Sequence, residues 1–214
     1  MAETLIIRGQ RALSAPIPGA PVLQALHPVF TSDSFSGASA EAVGRVSDAS
    51  MGGLPIRWSG TTGAAAAGDE TLRRSGAANV VYAIGHIVPS ADLQIGFRLL
   101  TLPTPGDVYI DFRRVSLAQG ADGLQVFINA SGVLTLRRRV GGAWTVLAQP
   151  PQVATPRADI AITATGDLLT LTLRGTTIAT VTDSSITAPG YAGVSGAGDQ
   201  SIAWSIADWQ VITQ

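Results

Sequence analysis

The stretch that decides the fold is Leu93-Gln94-Ile95-Gly96-Phe97-Arg98-Leu99, in which apolar residues occupy every second position. The same two-residue period returns in 108–112, 124–128 and 169–173. Successive side chains of a β-strand point to opposite faces, so each segment predicts a strand with one buried and one solvent-exposed face. No stretch of helical length shows a 3.6-residue period.

Turn-forming residues separate these segments at intervals of roughly 8 to 15 residues, a spacing typical of β-sandwiches. The turns are Pro103–Gly106, Gly120–Gly123, Asn129–Gly132, Gly141-Gly142 and Thr165–Asp167. Short turns join neighbouring strands in antiparallel order, and each sheet then turns one face to a common core. We therefore expect an all-β, antiparallel sandwich. Its predicted buried residues are Phe97, Phe112, Val126, Leu171 and Trp204, with Trp58 and Trp209 also favoured as core.

The composition excludes several classes of function. The net charge is −1, and charged residues are 14% of the chain, against about 25% in an average soluble domain. Neither number favours nucleic acid as a partner. The chain has no cysteine, so it has neither disulfides nor a thiolate site. We expect no membrane insertion and no signal peptide, because no apolar run approaches the required length and Met1–Thr4 has no basic residue.

Residues 1–30 differ from the rest of the chain. Prolines at positions 16, 18, 21 and 28 favour an extended segment over a helix. The segment is also too apolar for a free linker, through Ile6, Ile7, Ile17, Val22, Leu23, Leu26 and Phe30. It could pack along its own domain, but we favour an attachment arm that docks on a neighbouring subunit. The predicted domains are therefore an arm at 1–30 and a β-sandwich at 31–214.

The order of several motifs resembles a known family. Asp33-Ser34-Phe35 opens the domain, and Gly190-Tyr191-Ala192-Gly193 precedes the aromatic-rich ending Ile206–Val211. With Trp58 and the hairpin 124–139, this pattern is similar to the concanavalin-A-like, laminin-G-like jelly roll over residues 31–214. The resemblance implies that the last strand pairs back with the first.

The resemblance also implies a function. Modules of this kind are frequent in tail and surface proteins of bacteriophages with GC-rich hosts, and a chain without lysine that is rich in Ala and Gly fits such a genome. The predicted function is a non-enzymatic virion structural protein, in the tail, baseplate or head decoration, assembled in the host cytoplasm. Its partners would be other virion proteins and further copies of itself, a trimer being favoured.

The alternative function is a carbohydrate-binding module that recognises a glycan, such as one on a host surface. Sugar binding usually needs an exposed aromatic ring, and the candidates are Tyr109 and Trp144. We expect no bound cofactor. The resemblance allows for calcium at the loop rim, but an aspartate in a turn more often bonds its own backbone. The candidate aspartates are Asp107, Asp122, Asp167, Asp183 and Asp199.

A glycoside hydrolase is the remote alternative, because such enzymes need two carboxylates that flank the scissile bond. All glutamates precede the regular strands. Asp107 and Asp111 could share one face of a strand, but we interpret them as a turn residue and a solvent-facing strand residue. Ser195 lies in a Gly-rich stretch without the strand–turn–helix context of a hydrolase nucleophile. We therefore predict no enzyme activity.

The only basic run is Arg137-Arg138-Arg139. In a strand Arg138 has the same parity as the apolar Leu134 and Leu136, so it must pair with a carboxylate or escape at the end of the strand. We favour an ion-paired or solvated hairpin end over an anion-binding site.

Overall fold

The computed structural model describes residues 29–33, 40–41, 49–50, 58–60, 66–68, 71–75, 82–104, 106–118, 120–196 and 203–213. Within these ranges the regular structure is entirely β-strand, so the all-β prediction is confirmed. The strands are β1 (Val29–Asp33), β2 (Ala40–Glu41), β3 (Ala49–Ser50), β4 (Ser59–Gly60), β5 (Ala66–Gly68), β6 (Thr71–Ser75), β7 (Tyr82–Val88), β8 (Leu93–Thr104), β9 (Asp107–Arg114), β10 (Gly123–Asn129), β11 (Leu134–Val140), β12 (Ala143–Ala148), β13 (Ala158–Thr165), β14 (Leu168–Leu173), β15 (Thr176–Thr182), β16 (Gly190–Gly196) and β17 (Ala203–Thr213).

The strands form two antiparallel sheets that pack as a sandwich. The ten-stranded sheet has the order β15-β14-β13-β8-β17-β6-β5-β2, with β1 between β17 and β3. The seven-stranded sheet has the order β12-β11-β10-β9-β16-β7-β4. The predicted hairpin is present as β10 and β11, and Asn129 closes its turn by accepting the backbone N–H groups of Ser131 and Val133.

The terminal strand β17 closes the larger sheet. It pairs with β8 along one edge, and along the other edge with β6 and then β1. Asp33 lies opposite Trp209 and Ser32 opposite Gln210. The last strand therefore pairs with the first, as the family resemblance predicted.

The inward faces of both sheets form one apolar core. Phe97, Phe112, Val126, Leu171 and Trp204 are each at most 1% exposed, which confirms the predicted core. Trp58 and Trp209 are each 1% exposed as well. The Trp58 indole donates to Asp33 Oδ2 at 3.0 Å and packs against the His86 ring at 4.3 Å. The Trp58 ring also lies 5.5 Å from the Trp209 ring, so these contacts connect β1 to β17 through the core.

Most of the predicted arm lies outside the described residues, including Ile6, Ile7, Ile17, Val22, Leu23 and Leu26. Phe30 falls within β1, which begins at Val29 and so crosses the boundary predicted at residue 31. The arm and its role stay predictions. In the described part of the chain, no helix has the length and apolarity that a membrane span requires.

Candidate functional site

The outward face of the seven-stranded sheet gathers polar and aromatic side chains. Val108, Ile110 and Phe112 of β9 point into the core, so the residues between them project from the other face. Strand register then sets their neighbours. Tyr109 lies opposite Phe127, Gln125 lies between Asp111 and Arg137, and Arg139 lies opposite Trp144. Side chains from β9, β10, β11 and β12 thus meet on one surface.

One part of this surface is an aromatic–arginine cluster, formed by Tyr109, Phe127, Arg137, Arg139 and Trp144. The Arg137 guanidinium carbon lies 4.0 Å from the Trp144 ring centroid and 4.9 Å from the centroids of Tyr109 and Phe127. Arg139 lies 5.5 Å from the Trp144 ring. Both predicted platform residues belong to this cluster, and Trp144 is 44% exposed. Sequence reasoning did not select Phe127, and it named Arg137 and Arg139 only as part of the basic run, for which an ion-paired or solvated hairpin end was favoured over an anion-binding site.

A buried network of hydrogen bonds holds Arg137 of the cluster in place. Arg137 donates from Nε and Nη2 to Gln125 Oε1, at 2.8 and 2.6 Å. Gln125 Nε2 donates to Asp111 Oδ1 at 2.7 Å and lies 3.4 Å from Ser195 Oγ. Arg114 Nη1 donates to Asp111 Oδ2, also at 2.7 Å. The network therefore runs from the Arg114–Asp111 ion pair through Gln125 to the Arg137 guanidinium.

The interpretation of Asp111 as a solvent-facing residue is wrong. Asp111 is only 3% exposed, because Arg114 and Gln125 pack over its carboxylate. Ser195 is buried at 4% exposure on the same face. His86 belongs to the opposite face, since it pairs with Ala192 while Ser195 pairs with Ala83. Ser195 and His86 therefore do not meet as a catalytic pair.

Electrostatics link Asp107 to the edge of the cluster. Burial raises the pKa of the Asp107 carboxyl, although Arg137 and a hydrogen bond with Tyr109 act against it. Burial also raises the pKa of the Tyr109 hydroxyl, and the negative charge of Asp107 adds to that rise. Tyr109 is thus a neutral hydroxyl at ordinary pH, beside a guanidinium.

The rim aspartates do not form a metal site among the described residues. Asp183 accepts from Arg138 Nη1 at 2.5 Å and from the Ser185 N–H at 3.0 Å. Arg138 thus pairs with a carboxylate, which was one of its two predicted alternatives. Asp122 accepts the Gly141 N–H at 3.0 Å. No group of three or more His, Asp or Glu side chains in the described ranges could hold a metal ion, and Asp199 lies outside those ranges.

Comparison with known proteins supports the fold. No protein-family model and no curated protein matches the chain. Among solved structures, the carbohydrate-binding module CBM66 from Bacillus subtilis is 17% identical, with a TM-score of 0.57 over 73% of this chain and 93% of that one. The VIP36 exoplasmic/lumenal domain in its Ca2+/Man-bound form is 14% identical, with a TM-score of 0.57 over 76% of this chain and 84% of that one.

A third similar structure is an enzyme. A prokaryotic beta-1,3-1,4-glucanase (lichenase) derived from a mouse hindgut metagenome is 12% identical, with a TM-score of 0.55 over 85% of this chain and 97% of that one. At such identities the similarity establishes the jelly-roll sandwich and nothing finer. The predicted all-β, antiparallel jelly-roll sandwich is confirmed. The comparisons contain no evidence of a phage context.

Proposed function

We propose that this sandwich is a non-catalytic carbohydrate-binding module whose ligand stacks on Trp144. The observation that carries the proposal is an exposed indole fixed by a guanidinium. Trp144 is 44% exposed, and Arg137 lies 4.0 Å from its ring centroid. Pyranose rings have apolar faces that stack on aromatic side chains, while fixed polar groups orient their hydroxyls.

The network below Trp144 favours binding because it orders the site before a ligand arrives. Arg137 is held through two hydrogen bonds to Gln125, and Gln125 is held in turn by Asp111. Side chains that are already immobile lose little entropy when they bind, so more of the contact energy remains as affinity. A surface tryptophan without such support would offer a weaker platform.

The comparisons favour glycan binding over the virion function as the main proposal. One similar structure is a carbohydrate-binding module, and another is a domain in its Ca2+/Man-bound form. The virion location, the partner virion proteins, the trimer and the host-surface glycan stay predictions from the sequence. The sequence predicted no bound cofactor and left calcium as the alternative, and similar domains have been solved in Ca2+-bound and potassium-bound forms.

The proposal that the module is non-catalytic rests on its carboxylates. Asp107 and Asp111 share a face of β9 but lie four residues apart, which is about 13 Å along a strand. Paired glycosidase carboxylates lie about 5 to 9.5 Å apart. Asp111 is also neutralised by Arg114 at 2.7 Å. This pair is therefore unsuited to acid–base hydrolysis of a glycan.

The test is a glycan array followed by titration calorimetry on the best ligand. Trp144→Ala should weaken binding about tenfold or more, which corresponds to about 1.4 kcal/mol of stacking and lost order. Leu168→Ala is a matched control, because Leu168 is equally exposed at 44% but lies in the other sheet. Equal affinity of both variants and the unaltered chain would exclude Trp144 as the platform. Failure of the unaltered chain to bind any glycan would refute the proposed function.

A further inference from the structure

The two outward arginines of β11 differ from four other arginines in the described part of the chain. Four arginines form ion pairs with aspartates, and these are Arg98, Arg113, Arg114 and Arg138. Arg137 and Arg139 have no such ion pair with any described carboxylate. Arg137 is bonded instead to the neutral amide oxygen of Gln125, so its positive charge is not cancelled by its hydrogen-bond partner.

The Arg139 guanidinium has fewer hydrogen-bond partners than that of Arg137. Its Nε is buried and has no hydrogen-bond partner. Its guanidinium lies between the Trp144 ring, at 5.5 Å, and the loop at Gly120, where an added Cβ would be 3.2 Å from Nη2. A guanidinium that is partly withdrawn from water without a counter-ion is unfavourable, and an anion placed beside it would remove that cost.

The carboxylates on the same side of the molecule have other partners. Asp111 is bound by Arg114 and Gln125. Asp122 accepts the Gly141 N–H through Oδ2. Asp107 interacts with Tyr109, and its charge acts on Arg137 from beyond ion-pair distance. None of them is the counter-ion of Arg139.

We infer that the ligand of this site is an acidic sugar, a uronic or sialic acid residue. Its carboxylate would bind Arg139, with Arg137 as a second donor, while its ring stacks on Trp144. A guanidinium presents a planar set of donors that matches a carboxylate with two parallel hydrogen bonds. The inference rests on the proposed function, since it specifies which sugars the Trp144 platform would accept.

The experiment titrates the full chain with two acidic probes and their neutral counterparts. The pairs are sialyllactose with lactose, and oligogalacturonate with its methyl ester. We expect at least one acidic probe to bind roughly tenfold or more tightly than its counterpart, because a hydrogen bond to a charged group contributes about that factor. Added salt should narrow the difference, since it screens the charge.

Arg139→Gln should remove the preference for the acidic probe, so that this variant binds the acidic and neutral members of a pair with equal affinity. Arg157→Gln is the matched control, because it deletes the same charge from an exposed turn before β13 in the other sheet. Arg139→Lys covers the case in which the Gln variant fails to fold, since it keeps the charge but loses the two-bond geometry. It should retain only part of the preference.

Each outcome has a distinct meaning. Equal affinity for the acidic and neutral members of both pairs, or an equal loss in Arg157→Gln and Arg139→Gln, would overturn the acidic-sugar inference. Neutral glycan binding that depends on Trp144 would then leave the proposed function intact. If the chain binds neither the acidic nor the neutral probes, and no glycan on the array, both the acidic-sugar inference and the proposed function are overturned.

Discussion

Replacing Asp111 with Ala tests the buried network that supports the candidate site. The Asp111 side chain is 4% exposed and that of Arg114 is 9% exposed, with 2.7 Å between their paired atoms. Asp111→Ala would leave the Arg114 charge buried without a partner and would remove the acceptor of the Gln125 amide. Breaking a buried ion pair on one side costs about 3 to 5 kcal/mol. That is a large part of the 5 to 15 kcal/mol typical of a folded domain.

Urea unfolding followed by tryptophan fluorescence measures this cost as a lower midpoint. Asp159→Ala is the control, because the Arg98–Asp159 pair has side chains 37% and 19% exposed and should cost about 1 kcal/mol or less. The double variant Asp111→Leu with Arg114→Met should recover most of the loss, since it leaves no buried charge. If Asp111→Ala costs no more than Asp159→Ala, the pair is not effectively buried and the reasoning fails.

Three further predictions concern stability and assembly. Leu171→Ala should lower the free energy of unfolding by about 2 to 5 kcal/mol, because Leu171 is 0% exposed; a loss under about 0.5 kcal/mol in the same urea assay would contradict its core position. Burial alone would raise the pKa of Asp183, but bonds from Ser185 and Arg138 outweigh it and hold the pKa below its usual value. Asp183 should therefore stabilise the fold above about pH 4 and lose that contribution as pH falls through its lowered pKa. In Asp183→Asn, the urea midpoint of unfolding should then fall less steeply as the solution is acidified. A midpoint that falls as steeply as in the unaltered chain would refute this. Removal of residues 1–28 should leave the far-ultraviolet dichroism intact and reduce the assembled mass in light scattering, and an unchanged mass would mean that the arm is not the attachment element.

The strands and the core could be predicted because their signal is local. A two-residue period needs only a few neighbouring residues to be recognised, and it correctly assigned Phe97 and Leu171 to the interior. The pairing of the last strand with the first was predicted from the family resemblance, as no local pattern encodes a contact between β1 and β17.

The candidate site could be predicted only in part. Tyr109 and Trp144 were recognisable as aromatic residues, but their position around Arg137 depends on strand order and register. The register between β11 and β12 shifts between Leu136 and Arg137, and no property of either strand alone indicates that shift. That shift affects only Leu136, because the two-residue turn at Gly141-Gly142 already pairs Arg137 with Val146 and Arg139 with Trp144. Tyr109 meets Arg137 through the strand order β9-β10-β11, which no single strand indicates.

The error at Asp111 has a similar origin. Regular alternation would place Arg113 on the same face as Asp111. However, Arg113 has a φ of 48°, and its side chain instead donates to the carbonyl groups of Ala91 and Ile186. The following residue, Arg114, therefore reaches Asp111 and covers it. A single left-handed residue thus changes a solvent-facing carboxylate into a buried one.

Gln125 shows why a neutral side chain suits the centre of this network. Its amide nitrogen donates to Asp111 while its amide oxygen accepts from Arg137. Glutamate at this position could accept from Arg137 but would place a second negative charge against Asp111, which is unfavourable at hydrogen-bond distance. It would also cancel the charge of Arg137. The amide satisfies both neighbours and leaves Arg137 rigid, cationic and stacked on the exposed Trp144 ring, and these are the properties that the proposed acidic-sugar site requires.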